Sequence, residues 1–358
     1  MKTYRILAVN PGSTSTKIGF YENENLVFET TIRHSSEELS PYEKVADQFK
    51  FRKDLILGLL KKEDVDIHSI DAVVGRGGLL HPIASGVYEI NDKIVDDLTE
   101  ARYGEHASNL GALIAKDLAE EIGGNARAFI TDPVVVDEME DVARVAGHPL
   151  FKRVSIFHAL NQKMVARSYA DSISKKYEDL NLVIAHLGGG VSVAAHKNGR
   201  VVDVNNALDG DGPFSPERSG GLPAGQLADI CFSSEYTHEE VRKMLVGKGG
   251  IVAHLGTNNM IEVREKAAAG DKHFKLILDA MIYNIGKEIG AMSAALSGKV
   301  DAIIITGGMA HSETITGGIK NMVGFIAPVI IHPGEDELGA LAANGLRVLK
   351  GEVNPSVY

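Results

Sequence analysis

The sequence predicts an α/β protein of two duplicated domains, each built on a mixed sheet flanked by helices. Length is the first reason, because 358 residues exceed what one hydrophobic core usually supports. Repetition is the second: three short strands joined by tight turns open the chain over residues 4–30, and the same layout returns over residues 181–204. Helical patterns and single buried strands follow each meander, and those strands would add parallel members to each sheet.

The first half of the chain alternates strand and helix patterns. RILAVN, TKIGFYE and LVFETTI are typical of strands, with turns at NPGS and ENEN. The spacing over residues 41–62 predicts a helix. Strands are predicted at AVVGRGG and ARAFITDP, with an interrupted helical pattern over residues 91–120 between them. The apolar stripe of the helix at 41–62 would consist of Val45, Phe49, Leu55, Leu59 and Leu60.

The second half repeats this alternation. A helix is expected over residues 158–178, ahead of the second meander, whose Asn198-Gly199 pair is a hairpin signal. A long helix over 272–296, a strand and turn at VDAIIITGGMAHS, and a helix over 336–350 follow. We therefore expect an N-terminal domain of residues 1–150, completed by the C-terminal helix at 336–358, and a second domain of residues 151–335.

Composition limits the function classes. The net charge of −11 argues against a nucleic-acid-binding protein, which would normally carry a basic face. The N-terminus lacks the apolar segment of a signal peptide, and no apolar run approaches the length of a membrane helix. The single cysteine, Cys231, excludes an intramolecular disulfide, fits a reducing compartment and is expected to be a small core residue. A soluble cytoplasmic protein with no nucleic-acid or membrane partner is predicted.

Glycine-rich turns after strands point to phosphate binding of an uncommon kind. No G-x-x-x-x-G-K-[ST] loop is present, and a strand rather than a helix follows HLGGGVS, so neither a Walker loop nor a Rossmann fingerprint fits. The remaining option is a hairpin turn whose backbone N–H groups and hydroxyls cup phosphate oxygens. NPGSTSTK, residues 10–17, could form such a turn, but taken alone it could equally be an ordinary surface turn.

Several motifs in collinear order give the chain a family resemblance. NPGSTSTK, HLGGGVS and TGGMAHS look like the two phosphate loops and the adenosine loop of the acetate and sugar kinase, heat-shock ATPase and actin superfamily. GRGGLLHP, EHASNLGA, FITDPVVVDEM and RVSIFHALNQK narrow the resemblance to the acetate kinase family, and within it to members that act on butyrate. The resemblance implies two ribonuclease H-like domains that close over ATP and substrate in the cleft between them.

The activity implied by the resemblance is ATP-dependent phosphorylation of a short-chain fatty acid, with ATP, ADP and Mg²⁺ as cofactors. Butyrate is the expected acid, in the reversible reaction of butyrate and ATP to butyryl phosphate and ADP. Acetate, propionate or a branched acid is the alternative, because the sequence does not give the width of the acyl pocket. A carboxylate is already ionised at pH 7, so catalysis should depend on positioning and charge neutralisation rather than on a strong base. A homodimer or larger homo-oligomer is implied as well.

The resemblance assigns catalytic roles to four residues. Arg76 in VGRGG and Arg218 in PERSGG match the arginines that contact the carboxylate and the phosphoryl group. His158 in SIFHALN matches a histidine that hydrogen-bonds the transferring phosphoryl group. Asp132 in ITDP matches an aspartate near magnesium and the nucleophile, although Asp-Pro is also a common turn signal.

Further residues are implied for the acyl and metal sites. His106 and Asn109 in EHASN match a segment beside the acyl group. Magnesium usually takes one or two carboxylates, so Asp132 would be joined by Asp336 or Glu337, between which the spacing does not decide. An acidic residue at this helix start could also be explained by the helix dipole alone.

The nucleotide contacts implied by the resemblance fall on the three glycine- or serine-rich turns. Lys17 begins a strand rather than a helix, so it should not act as a Walker lysine, whereas Asn10 and the neighbouring hydroxyls should face the phosphoryl group. The expected contact residues are Asn10, Ser13, Thr14, Ser15, Thr16, Lys17, His186, Gly188, Gly189, Gly190, Gly307, Gly308 and Met309.

The chain departs from the family pattern in three places. GRGG is shorter than the matching stretch of acetate kinases, and Gly189 replaces an asparagine. At GTNNMIEV, Asn259-Met260-Ile261 stands where relatives carry Asp-x-Arg, so a nucleotide contact is either missing or made elsewhere. Two rival functions stay open: an ATPase that works by conformational coupling, for which two arginines and a histidine have no shared purpose, and a catalytically silent nucleotide sensor.

Overall fold

A computed structural model of the chain describes residues 2–358. The fold divides into two compact units: unit 1 runs to Val136 and includes Asp336–Tyr358, and unit 2 is Asp137–Glu335. The first stretch of unit 1 therefore ends at Val136, whereas the sequence pattern placed this boundary near residue 150.

Unit 1 is built on a six-stranded sheet in the order β3-β2-β1-β4-β6-β5. The antiparallel meander forms one side of the sheet, and β4 and β6 run parallel to β1. Apart from a half-buried arginine at one end of each, Arg5 and Arg76, the residues of β1 and β4 are buried, as is typical of strands covered on both faces. The short β5 is a strand that the sequence patterns do not predict. The strands are β1 Arg5–Pro11, β2 Ser15–Glu22, β3 Asn25–Arg33, β4 Ala72–Arg76, β5 Val87–Glu89 and β6 Arg127–Thr131.

Helices of unit 1 pack on this sheet and carry clear end signals. Asn91 caps α3 by accepting a hydrogen bond from Ile94 N at 3.0 Å. Gly75 of β4 faces Gly111 of α4 so closely that a side chain on Gly75 would collide with the helix backbone. The predicted helix at 41–62 begins later, with a 3₁₀ turn at Ala46–Gln48. The helices are α1 Ser36–Leu39, α2 Phe49–Lys62, α3 Asp92–Thr99 and α4 Asn109–Ile122.

Unit 2 repeats the plan with a five-stranded sheet in the order β11-β10-β7-β8-β9. The second meander is present as predicted, and Asn198 and Gly199 at its hairpin have φ of 51° and 77°, as a type I′ turn requires. β10 runs parallel to β7 and β11. The strands are β7 Asn181–Leu187, β8 Val191–Lys197, β9 Arg200–Val204, β10 Ala302–Gly307 and β11 Val329–Pro333.

Eight helices of the described chain belong to unit 2. The predicted long helix is α11, whose apolar face covers β7 and β8. The helix predicted over 158–178 ends at Ser172, because Ser174 adopts a left-handed φ of 54°. Cys231 lies exposed on α7, so its prediction as a core residue is wrong. The helices are α5 Asp141–Arg144, α6 Ala159–Ser172, α7 Ala224–Phe232, α8 His238–Leu245, α9 Ile251–Leu255, α10 Met260–Ala268, α11 Lys272–Ala295 and α12 Glu313–Val323.

The last helix, α13 Glu337–Leu349, packs against β1 and β4 of unit 1. Beyond it the chain end is anchored: the Tyr358 ring stacks on His81 at 4.3 Å between centroids, and its hydroxyl donates to Asp97 at 2.8 Å. Tyr358 is thus held against unit 1, although most residues between α13 and Tyr358 are exposed.

Candidate active site

The turn between β1 and β2 is held from inside unit 1 by a buried arginine of α2. The Arg52 guanidinium donates to the carbonyl oxygens of Gly12 at 2.7 Å, Ser13 at 3.1 Å and Ser15 at 3.0 Å. Its other contacts are the Gln48 side chain and the Thr16 hydroxyl, and the described chain gives it no carboxylate partner. Burial lowers the pKa of Arg52 to about 10, so the side chain is still charged at pH 7. A positive charge therefore lies directly beneath the turn.

The side chains of this turn do not all point the same way. Thr16 is fully buried, and its hydroxyl contacts Arg52 at 3.2 Å and His34 Nε2 at 2.8 Å. The expectation that its hydroxyl faces a phosphoryl group is therefore wrong, since β2 directs it into the core. Ser13 and Thr14 are exposed, and Ser15 is half-buried. Lys17 is exposed and pairs with Asn10 across the ladder, which puts those two side chains on one face of the sheet.

Three side chains meet where β1 and β4 end. The Arg76 Nη1 atom lies 3.1 Å from the carboxylate of Glu337 and 3.3 Å from Asn10 Oδ1. Asn10 also donates through Nδ2 to Glu337 at 2.5 Å. The other guanidinium nitrogens of Arg76 make no hydrogen bond within residues 2–358, so they are available to an anion. The structure thus brings together three residues that lie far apart in the sequence.

The two acidic candidates at the start of α13 have different surroundings. Asp336 caps the helix by accepting a hydrogen bond from Gly339 N at 2.8 Å, and it is exposed. Glu337 is half-buried and faces Arg76 and Asn10. Of the two, Glu337 is therefore the residue that belongs to the cluster at the strand ends.

Asp132 follows β6 at the same edge of the sheet, and it is buried. Its φ of 39° lies in the left-handed region, which is strained for a residue with a side chain. The carboxylate accepts hydrogen bonds from the Ser85 hydroxyl at 2.6 Å and from Gly86 N at 2.9 Å. These bonds hold the carboxylate in place at the cost of a strained backbone, a combination common at functional positions.

In the EHASN segment, His106 is exposed and Asn109 is buried. The Asn109 side chain is buried, accepts from Leu79 N at 2.9 Å and donates to the Gly104 carbonyl at 3.0 Å. It therefore braces the loop after Arg76, and no part of its amide is turned to solvent. His106 is exposed and its Nδ1 contacts the Ser108 hydroxyl at 2.8 Å. Partial desolvation and, secondly, the charge of Arg76 lower its pKa.

Magnesium needs only one or two carboxylates from a protein, together with phosphate oxygens and water. Within residues 2–358, no three His, Cys, Asp or Glu side chains form a cage for a metal ion. Asp132 and Glu337 stand at the same edge of the unit 1 sheet as single, held carboxylates. This donor set fits a metal that arrives with a phosphate ligand.

In unit 2, two histidines stack at the start of α6. The rings of His158 and His186 lie 3.7 Å apart between centroids at an interplanar angle of 12°. His158 Nδ1 contacts the Ser192 hydroxyl at 2.8 Å, and His186 Nδ1 contacts Asn161 Oδ1 at 2.8 Å. His186 is buried whereas His158 is half-buried, so the outer ring is His158. The inner histidine serves as a platform for the outer one.

The glycine turn between β7 and β8 lies against an arginine. Gly188 N donates to the Gly190 carbonyl at 3.0 Å, which closes the turn. The Arg218 guanidinium occupies the space that a side chain on Gly190 would fill. The Arg218 guanidinium donates to the Ala207 carbonyl at 2.5 Å and makes no second hydrogen bond within residues 2–358, while burial lowers its pKa. Its remaining N–H groups can therefore bind an oxyanion.

A cavity of about 610 Å³ opens in unit 2 beside both glycine turns. Gly188 and Gly189 line one wall, and Gly308 and Met309 line another. Gly307 supports this wall with a φ of 89°, and a Cβ there would lie 2.5 Å from the Leu187 carbonyl oxygen. Asn258 lines the cavity too, as do Asn259, Met260 and Ile261, the stretch expected to depart from the family pattern.

Arg264 is a lining residue that sequence reasoning missed. It lies one turn beyond Ile261 on α10, where its Nη1 donates to the Ser312 hydroxyl at 3.2 Å and its Nε to the Met260 carbonyl at 3.3 Å. Among the described residues that line the cavity it is the only lysine or arginine. Helical spacing from Ile261 was the available signal, since residues three apart share a helix face.

Comparison with known proteins gives consistent results. The model of the acetokinase family matches residues 149–323. Butyrate kinases 1 and 2 of Clostridium acetobutylicum are each 55% identical to this chain over 355 residues, covering 99% of this chain and 99% of theirs. A probable butyrate kinase of Clostridium botulinum is 54% identical over 356 residues, covering 99% of this chain and all of its own.

Solved structures agree at the level of the fold. The acetate kinase of Porphyromonas gingivalis superposes with a TM-score of 0.78 at 20% identity, covering 97% of this chain and 100% of that one. A propionate kinase from Francisella tularensis gives 0.73 at 18% identity, covering 95% and 98%. The predicted fold class, two mixed sheets of ribonuclease H type flanked by helices, is confirmed.

No helix within residues 2–358 is long and apolar enough to cross a membrane.

Proposed function

This chain belongs to the acetokinase family, and from that premise we propose that it is a kinase of short-chain fatty acids that acts on butyrate. The reaction is butyrate + ATP to butyryl phosphate + ADP, in either direction. The observation that carries the choice of acid is the 55% identity to two butyrate kinases along almost the whole chain. Acetate, propionate and branched acids are the alternative acceptors.

The chemical problem is the approach of two anions. A butyrate carboxylate is ionised at pH 7 and needs no base, but it must reach a phosphoryl group that also carries negative charge. Fixed cations and hydrogen-bond donors that face the transferring group lower this barrier without reorganising during the reaction. Arg76 and Arg218 have uncommitted N–H groups for this purpose.

Unit 1 is proposed to bind the acyl and phosphoryl groups. Arg76 is oriented by Glu337 and Asn10, so its free N–H groups can receive the substrate carboxylate. His106 would border the acyl chain, whereas Asn109 acts as a brace for the loop after Arg76. Asp132 and Glu337 would hold Mg²⁺, whose chemistry is to neutralise and orient the phosphate oxygens of ATP.

Unit 2 is proposed to bind the nucleotide. The adenosine would occupy the 610 Å³ cavity beside Met309, and the phosphates would lie on the backbone of Gly188 and Gly189. Arg218 would bind the transferring phosphoryl group from beside Gly190, and His158 would donate a hydrogen bond to it. Arg264 would supply the cation that Ile261 cannot supply.

Self-association and location follow from the same premise. Helix α7 has no buried residue, although its sequence, AGQLADICF, is largely apolar; Phe232 is 88% exposed. A second copy of the chain would cover this surface, so we propose a homodimer or a larger homo-oligomer. The dependence on ATP and the single cysteine support a cytoplasmic location.

The proposal is tested by trapping the product. The protein is incubated with ATP, Mg²⁺, hydroxylamine and each acid from acetate to hexanoate, and the hydroxamate is measured. The highest kcat/KM is expected with butyrate. If every acid gives no product, the kinase assignment is wrong; a maximum at acetate or a branched acid contradicts only the assigned acid. ATP hydrolysis that no acid alters would favour an ATPase of the conformational type.

A further inference from the structure

A chain of buried hydrogen bonds runs through unit 2 from Tyr177 to His158. The Tyr177 hydroxyl contacts His196 Nδ1 at 2.7 Å, and His196 Nε2 contacts Gln162 Oε1 at 2.9 Å. Gln162 Nε2 contacts the Ser192 hydroxyl at 2.9 Å, which contacts His158 Nδ1 at 2.8 Å. The middle members, His196, Gln162 and Ser192, are fully buried, so water cannot replace any of these bonds.

The spacing of residues along α6 and β8 brings the side chains of this hydrogen-bond series together. His158 is the residue immediately before α6, and Gln162 N in the first turn of the helix donates to the His158 carbonyl at 2.9 Å, which sets the two residues one turn apart. Ser192 and His196 lie four residues apart on β8, so both point to the same side of the sheet. Side chains from the helix end and from the strand therefore alternate along the series of hydrogen bonds, in the order His158, Ser192, Gln162, His196.

The orientation of the Gln162 amide is fixed by a backbone group. Its nitrogen lies 3.2 Å from the Ser192 carbonyl oxygen, which can only accept a hydrogen bond. A flipped amide would place two carbonyl oxygens against each other. The Nε2 atom therefore faces Ser192, and the Oε1 atom faces His196 and must accept from it.

The Gln162 orientation in turn sets the protons of His196. Because Oε1 accepts, His196 carries a proton on Nε2. Burial, and secondly the charge of Lys163, hold the pKa of His196 well below its usual range, so the ring is neutral. A neutral ring with a proton on Nε2 accepts at Nδ1, which means that the Tyr177 hydroxyl donates.

The Gln162 orientation also sets the proton of the Ser192 hydroxyl, and through it the state of His158. The Ser192 hydroxyl oxygen accepts from Gln162, and its own proton has one remaining partner within residues 2–358, His158 Nδ1. We propose that Gln162 and Ser192 are positioning residues that hold His158 as a neutral ring with its proton on Nε2. This inference rests on the proposed function for its purpose: the Nε2 proton is the one that His158 would donate to the transferring phosphoryl group.

The protonation state can be measured without any substrate. Protein labelled with ¹⁵N-histidine is studied by long-range ¹H–¹⁵N NMR at neutral pH, and the His158 signals are assigned by their loss in His158→Gln. We expect an unprotonated Nδ1 and a protonated Nε2 for His158. In Ser192→Ala the same ring should show a mixture of both tautomers. A wild-type ring with its proton on Nδ1, or a Ser192→Ala ring that keeps the pure Nε2 tautomer, would overturn the proposal. Failure of the fatty-acid kinase assignment would leave this result intact.

A double-mutant cycle then tests whether Ser192 acts through His158. Ser192→Ala is expected to lower kcat at least about tenfold with little change in the KM for ATP, because the wrong tautomer cannot donate. In a His158→Ala background the same change should have almost no further effect. Equal losses in both backgrounds would indicate a structural role instead. Ser293→Ala is the matched control, since Ser293 is also buried in unit 2 but donates to the Ile289 carbonyl within α11.

Discussion

At the scale of single residues, Arg218 is the side chain on which the proposed chemistry depends most directly. Its guanidinium lies where Gly190 leaves room, and one hydrogen bond to the Ala207 carbonyl aims it. A single anchoring bond fixes the direction of the group while leaving most of its donors to the phosphoryl oxygens. Lysine could not copy this arrangement, because it offers one charge centre and no fork.

Arg218→Ala is expected to lower kcat for butyryl phosphate formation by at least about a hundredfold, as the loss of one transition-state donor commonly does. Steady-state kinetics at saturating ATP and acid measure the effect. Arg242→Ala is the control, because Arg242 pairs with Asp209 on the surface of the same unit. Near-normal turnover in Arg218→Ala would refute the role assigned to it.

Arg264→Ala should raise the KM for ATP about tenfold with a smaller change in kcat, because a charge-assisted hydrogen bond in the cavity is lost. The control is Lys266→Ala on the same helix, whose side chain pairs with Glu262. If both variants bind ATP like the wild type, the cavity does not use Arg264. An isothermal titration with ADP checks the binding step alone.

A sequence singles out side chains that belong to a motif and misses those that only the fold brings together. Arg76 was selected because VGRGG matches a motif of the family, and the structure sets it against Asn10 and Glu337. The side of β2 on which Thr16 falls depends on strand register, and a shift of one residue reverses every side chain. Arg52 sits within a helix whose pattern gives no sign that an arginine is buried there, so nothing in the sequence pointed to it.

At the scale of elements, the start of α13 separates a carboxylate that caps the helix from one that belongs to the proposed site. Asp336 completes the helix end, whereas Glu337 reaches the ends of β1 and β4. Asp336 and Glu337 are adjacent acidic residues that the sequence alone does not distinguish, because the choice follows from the direction in which the helix leaves its cap.

Asp336→Ala and Glu337→Gln should therefore have opposite profiles. The first is expected to cost about 1 kcal/mol of stability with little change in kcat, as the loss of a cap does. The second should lower kcat at least about tenfold and raise the Mg²⁺ concentration needed for half-maximal rate. Thermal unfolding and a magnesium titration of the rate measure the two effects. A magnesium response confined to Asp336→Ala would reverse the assignment.

The β1–β2 turn makes unit 1 sensitive to acid through His34. Desolvation, and secondly the charge of Arg52, lower the pKa of His34 in the folded state. The pKa of a histidine in an unfolded chain is about 6.5. As the pH falls below that value, the unfolded chain therefore takes up a proton before the folded chain does. The stabilising contribution is present above pH 6.5 and is lost as the pH falls towards the folded pKa.

His34→Gln should consequently weaken the dependence of stability on pH. The unfolding midpoint in urea is measured for wild type and variant between pH 7.5 and pH 5. The wild type is expected to lose more stability over this range than His34→Gln does. Parallel curves would mean that His34 does not titrate with unfolding. His238→Gln, at an exposed helix start, serves as the control.

At the scale of the whole molecule, the exposed apolar side chains carry the most information. Ile230 and Phe232 on α7 are 37% and 88% exposed. Two large exposed apolar side chains on one short helix are uncommon in a monomeric protein. Hydrophobicity alone predicted a core position for Cys231 on this helix, because a sequence does not distinguish a face packed on its own sheet from a face kept for another chain.

Phe232→Glu is expected to shift the mass measured by light scattering from that of an oligomer towards that of a single chain. A charge placed at the centre of an apolar interface is costly to bury unless it is paired. Phe325→Glu is the matched control, since Phe325 is 85% exposed and lies outside α7. Dissociation by both substitutions, or by neither, would remove α7 as the interface.

The place of α13 in unit 1 has a consequence for synthesis on the ribosome. Unit 2 is one uninterrupted stretch, Asp137–Glu335, and can fold as soon as that stretch has emerged. Unit 1 must wait, because the helix that covers β1 and β4 and the Tyr358 that rests on His81 are translated only after the whole of unit 2. The nascent chain therefore carries an apolar sheet without its α13 layer while all of unit 2 is being synthesised.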